Sequence, residues 1–155
     1  MVVTQELLDD KLIEIGNQVI MVGLFVLHQG EQRNLPIIRY GNIAMMPDEP
    51  LKTNYGLMPG FLIESRSIGG LSGSPVYVYS DKNITTKTPT GSISTQRILL
   101  LGFIHGHYDV RIPITDSLVE DTTNREAVNM GIAIVVPALR ILEHISDQQK
   151  SKQID

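Results

Sequence analysis

The stretch SIGGLSGSPVYV, residues 67–78, joins two compositions that seldom meet. Its first half has the Gly/Ser content of a linker. Its second half, Pro75-Val76-Tyr77-Val78, has the β-branched and aromatic content of a buried strand, and no spacer separates them. Either this is a flexible turn, or the backbone is shaped tightly around a serine hydroxyl. A serine that attacks a carbonyl needs its Oγ exposed on a tight turn, with backbone N–H groups aimed at the oxygen that becomes negative. Glycines permit the necessary φ values and let another backbone approach closely. Over residues 69–75 the N–H groups of Gly70 and Ser72 can converge as an oxyanion hole, with Leu71 between them pointing away.

Two other glycine motifs are excluded by spacing. The hydrolase elbow G-x-S-x-G fails because Ser74, not glycine, stands second after Ser72, and no G-x-x-x-x-G-K phosphate loop occurs.

Working outward, VIMVGLFVL (19–27) reads as a strand interrupted by Gly23, followed by a polar turn containing His28. LPIIRYGNIAMM is a second strand with Gly41 as a bend or bulge. A loop over residues 47–60 leads to FLIE, the Gly/Ser turn and PVYVY. Residues 80–96 read as an exposed, flexible hairpin loop rather than a lid, RILLLGFIHGHY as a strand, and residues 109–129 as irregular. GIAIVVP is the last strand and runs into PALRILEHIS, a helix with Pro137 in its first turn and Leu139, Leu142 and Ile145 facing inward. At the other end, Thr4 caps a short helix with Leu8, Leu12 and Ile15 on one face and Gly16 as its stop, either a core helix or a connection to further structure. The expected organisation is therefore a connecting segment (1–17), a β-barrel domain (18–147) and a frayed tail (148–155). About six strands that do not alternate with helices predict a mainly β fold, a six-stranded antiparallel Greek-key barrel with a short C-terminal helix.

The totals suit that reading. The 155 residues are 42% apolar and 19% charged, enough for one globular domain with its own core. Lys and Arg total 13 against 17 Asp and Glu, a net charge of −4 that argues against nucleic acid as a partner. The absence of cysteine removes disulfides, thiol catalysis and Cys-based zinc sites together. The longest apolar run, 19–27, is too short to cross a bilayer, and the acidic start MVVTQELLDDKL is unlike a signal peptide. The expectation is a soluble chain without a membrane partner. Its compartment stays open, with the cytoplasm favoured.

At the serine turn the sequence resembles a known family. G-L-S-G-S-P is similar to the G-x-S-G-[GS]-P nucleophile turn of trypsin/chymotrypsin-like serine peptidases. FLIESRSIGGLSGSPVYV resembles the strand–turn–strand around the nucleophile in the bacterial branch, LLGFIHG the following substrate-pairing strand, and MGIAIVVPALRILEHI the final strand and helix. VIMVGLFV resembles the first strand of the second barrel, so the likeness covers most of residues 18–146. The resemblance implies Ser72 as nucleophile, Gly70 and Ser72 N–H groups as oxyanion donors, and Ile104, His105, Gly106 and His107 along the substrate. It places Arg66 at the pocket floor, where an arginine suits an acidic side chain, while a surface arginine pointing elsewhere is the commoner reading of such a residue. Leu71 stands where the digestive enzymes carry an aspartate that pairs with a freed N-terminus. No T-A-x-H-type segment precedes Ser72, so the general base and its orienting acid would come from a His/Asp-bearing barrel, in cis or in trans. No metal or organic cofactor is implied. The partners implied are a peptide or protein substrate and that barrel.

Three alternatives remain at this level. His105 or His107 can serve as base within the chain if either reaches Ser72. The run His105-Gly106-His107-Tyr108-Asp109 is similar to the H-x-H-x-D-H motif of metallo-β-lactamase-type hydrolases, but Val110 occupies the sixth position. A non-catalytic barrel that binds peptides or itself also fits.

Overall fold

A computed structural model describes residues 1–25, 30–53, 56–65, 71–113 and 125–151. The elements in chain order are α1 (Gln5–Asp9), β1 (Gln18–Leu24), β2 (Pro36–Met45), β3 (Leu51–Thr53), β4 (Gly56–Met58), β5 (Phe61–Glu64), β6 (Pro75–Tyr79), β7 (Ile84–Thr88), β8 (Gly91–Thr95), β9 (Ile98–Pro113), β10 (Arg125–Pro137) and α2 (Ala138–Ser151).

The fold is mainly β. Six strands close into an antiparallel barrel in the order β1-β2-β5-β10-β9-β6, with β6 returning to pair with β1. Closure gives every barrel strand two neighbours within the barrel, while the far part of β9, beyond Ile104, is paired in a strand ladder with β10 alone among the described residues. Alternation along each strand explains the core. Val19, Met21, Phe61, Ile63, Val76, Val78, Leu99, Leu101 and Val135 are all buried at successive inward positions. Bulges adjust the alternation. Leu101 is an extra residue against β6, since Leu100 pairs with Tyr77 and Gly102 with Val76. His105 is an extra residue against β10, since Ile104 pairs with Val135 and Gly106 with Ile134.

Glycine explains two close approaches. At Gly102 a Cβ would overlap the Val136 carbonyl, so only glycine lets β9 and β10 meet there. Gly41, read from sequence as a bend or bulge, sits in regular register opposite Val19, and the irregularity falls later, between Ile43 and Met45. Its lack of a side chain admits the Glu64 carbonyl instead.

The N-terminal segment plugs the barrel. Val3 N–H donates to Leu100 O and Leu100 N–H to Met1 O, both at 3.0 Å, and Ile13 is fully buried in the core. The helix is shorter than its apolar pattern suggested. Thr4 has the extended backbone of an N-cap but makes no side-chain cap bond, and α1 ends at Asp9. Lys11 then takes a left-handed φ of 53°, which turns Ile13 inward and leaves Ile15 63% exposed. Ile13, not Ile15, is the core residue. The plug is held by polar bonds: Asn17 Oδ1 accepts from Glu14 N–H at 2.8 Å, and Asn17 Nδ2 donates to Asp81 Oδ2 at 2.6 Å. Ser80, fully buried, lies with Oγ 2.7 Å from Lys82 O and 3.2 Å from Leu12 O.

Other expectations change in the same direction, toward more regular structure. The loop over 47–60 contains the β3–β4 hairpin, and residues 80–96 contain the regular β7–β8 hairpin. Of the segment read as irregular over 109–129, residues 109–113 and 125–129 are paired, since β9 and β10 continue together out to Pro113 and Arg125, and residues 114–124 lie outside the described residues. Helix α2 runs through Ser151, further than a frayed tail would allow. Its inward face is smaller than expected. Ala138 is buried, whereas Leu142 and Ile145 are exposed. Among the described residues no helix is long and apolar enough to cross a membrane.

Candidate functional site

Between β5 and β6 the chain enters a tight turn. Ser74 N–H donates to Leu71 O at 3.0 Å, closing a β-turn with Ser72 and Gly73 at its corners. Gly73 has φ of +83°, the left-handed value that a type II turn demands of its third residue. The turn is fastened to β9. Gly73 N–H donates to Ile104 O at 2.7 Å, and Ile104 N–H donates to Ser74 O at 2.9 Å. Pro75 then begins β6 opposite Phe103, and its fixed φ suits the first residue of a strand.

Leu71 is expected from the sequence to point away from the two N–H donors on either side of it. It is buried in the barrel core. The burial has a direct chemical consequence. With Leu71 held inside and Gly73 turning the chain back, Ser72 is left exposed at the corner. Among the described residues neither the Ser72 hydroxyl nor its N–H makes a hydrogen bond. Ser72 is thus an exposed residue whose hydroxyl has no hydrogen-bond partner among the described residues.

The other residues singled out in the sequence divide clearly. Gly70 and Arg66 lie outside the described residues, as does His28. Ile104 is buried, and its N–H and carbonyl are both engaged by the turn, so its position supports Ser72. His105 is the bulged residue of β9, and His107 lies opposite Ala133 of β10; both are half-buried. No hydrogen bond links either ring to Ser72. Gly106 lies between them, and a Cβ built there would meet none of the described residues within 4 Å. Among the described residues no group of three or more His, Asp or Glu is placed to hold a metal ion.

The residue that sequence reasoning missed is Gly23. It was legible only as an interruption of β1. In the fold it pairs with Ile37 and faces the turn: a Cβ there would lie 2.5 Å from Ser74 Oγ and 2.6 Å from Leu71 Cδ2. A cavity of about 720 Å³ lined by Asp9, Lys11, Ile13, Glu14 and Asp48, among others, belongs to the plugged end and has none of Ser72, His105 or His107 in its wall.

No protein-family model matches the chain, and neither the curated proteins nor the solved structures yield a match.

Proposed function

We propose that this chain is a serine-peptidase lobe of the trypsin/chymotrypsin type, with Ser72 as its nucleophile. The observation that carries the reading is the exposed Ser72, held at the corner of a Gly-dependent turn that is built into a closed six-stranded barrel. The strand order supports it. Strands β1, β2 and β5 follow one another around the barrel, and β6 returns beside β1, the arrangement expected of a Greek key. In this reading Ser72 Oγ attacks a peptide carbonyl, its proton passes to a histidine base, and the carbonyl oxygen is held by the N–H groups of Ser72 and Gly70. A His/Asp-bearing barrel supplies the base and its orienting acid, from a longer chain or another polypeptide. Extended substrate runs along β9 beyond Ile104, where Gly106 has no side chain to stand in the way of a second backbone. Intact-mass measurement after fluorophosphonate treatment, with and without the partner barrel, tests the proposal. Labelling that requires the partner and disappears in Ser72→Ala supports it. A chain that stays unlabelled beside every His/Asp barrel supplied overturns it.

One observation favours a second reading, a self-associating binding module. The outer face of β1 and β2 pairs Ile20 with Tyr40, Val22 with Ile38 and Leu24 with Pro36, and Ile38 and Tyr40 are 60% and 61% exposed. Contiguous apolar surface of this kind marks interaction faces. Under this reading a Ser72→Ala change leaves binding and association intact.

A further inference from the structure

We propose that Gly23 and Leu71 form an interlock that positions Ser72, so that the turn is assembled by this chain alone. The inference rests on reading Ser72 as the reactive group, and it concerns what holds that group in place. Glycine weakens a strand interior and is kept there where another group must come close. Gly23 is the last residue but one of β1, and it keeps the regular β1–β2 register between the partners Val22–Ile38 and Leu24–Pro36, so it marks no bulge. What comes close is the serine turn. The space that a Cβ would need at position 23 is taken by Leu71 Cδ2 and Ser74 Oγ, the residues on either side of the Ser72–Gly73 corner.

Leu71 cannot simply swing aside: it is 4% exposed and packed within the core, so another rotamer requires repacking. Ser74 Oγ can turn away about χ1, but the Ser74 backbone is tied by N–H to Leu71 O and by its carbonyl to Ile104 N–H. A methyl group at position 23 therefore pushes chiefly on Leu71, the first foot of the turn, and not directly on Ser72. The expected consequence is loss of the Gly73 N–H to Ile104 O bond, with the barrel strands still paired. Gly23 and Leu71 are positioning residues, acting on Ser72 only through the turn.

Amide hydrogen exchange under native conditions tests this, because it reads the turn and the barrel separately and needs no general base. In Gly23→Ala the Gly73 amide should exchange at least about tenfold faster relative to the Val78 amide of β6. Combining it with Leu71→Val, which shortens the opposing side chain, should restore most of the protection. Leu71→Ala alone removes the knob instead of filling the hole, and must give the same selective loss even if Gly23→Ala does not fold. Equal acceleration at Gly73 and Val78, or a Gly73 amide still protected in Leu71→Ala, overturns the proposal. Failure of the peptidase reading appears elsewhere, as absent fluorophosphonate labelling, and the two results are independent.

Discussion

Gly73 and Ile104 exchange the bond that ties the serine turn to the barrel: Gly73 N–H donates to Ile104 O at 2.7 Å. The reciprocal Ile104 N–H bond to Ser74 O makes β9 a template for the turn, although the two segments lie far apart in sequence. Within residues 71–74 the N–H groups of Gly73 and Ser74 and the carbonyls of Leu71 and Ser74 have fixed partners, and the apolar side chain of Leu71 is in the core.

Three glycines of this region should respond differently to alanine. Gly73 has no described residue within 4 Å of a built Cβ but a φ of +83°, so Gly73→Ala pays only conformational strain, about 1–2 kcal/mol by urea denaturation. Gly106 likewise has no described residue in that range and no positive φ, and Gly106→Ala should stay within about 0.5 kcal/mol of the parent. Gly102 abuts the Val136 carbonyl, which is backbone and cannot yield, so Gly102→Ala should lose more than about 4 kcal/mol. A Gly102→Ala chain of parental stability would contradict the β9–β10 register.

Ile13 and Ile15 should differ just as sharply. Ile13 is fully buried at the plugged end, and Ile13→Ala leaves a cavity costing about 2–5 kcal/mol. Ile15 is mostly exposed, so Ile15→Ala should change stability by less than about 0.5 kcal/mol. Equal effects would mean that residues 1–17 do not seal the barrel as described.

How far the sequence shows this depends on range. Strand alternation is local, so the barrel strands and α2 are legible in Val19-Ile20-Met21 or Val76-Tyr77-Val78, where periods of two sort inward from outward residues. Strand β8 carries no such alternation, since all five of its residues are exposed, and so no inward face marks that half of the β7–β8 hairpin in the sequence. Ile15 was displaced from the expected face, and Ile13 brought inward instead, by a left-handed Lys11, a single backbone angle with no sequence mark. Ser72 was found from its glycines. Leu71 and Gly23 were not, because their meaning lies in a contact between segments that only the closed barrel brings together.

The Lys82–Glu14 pair gives a pH prediction. Lys82 Nζ donates to Glu14 Oε2 at 2.5 Å and to Lys11 O at 2.6 Å. The hydrogen bond from Lys82 holds the Glu14 carboxyl below its ordinary range, outweighing the opposing effect of desolvation, with the charges of Lys82 and Lys11 adding to it. A carboxyl whose folded pKa lies below its unfolded value of about 4.3 favours the fold above that pH, and the contribution fades as pH falls through the folded pKa. Both side chains are well exposed, so salt screens the pair and the effect on stability is small. NMR titration of the Glu14 side-chain carboxyl should show its midpoint rising in Lys82→Met. An unchanged midpoint would mean that the pair is not formed in solution.

The outer face of β1 and β2 separates the two functional readings. Ile38 and Tyr40 alternate with inward residues on β2, so lysines placed there project into solvent and leave the barrel core intact. If the face binds a second copy, the parent should elute as a dimer in size-exclusion chromatography with light scattering. Ile38→Lys/Tyr40→Lys should then elute as a monomer with a melting temperature within a few degrees of that of the parent monomer, because like charges would be buried against each other across a two-fold interface. A parent that is monomeric at high concentration removes self-association. The same apolar pairs, Ile20–Tyr40 and Val22–Ile38, would then be the first place to seek loss of binding to the His/Asp barrel, since a lysine pair there would raise its dissociation constant while leaving the Ser72 turn as it is.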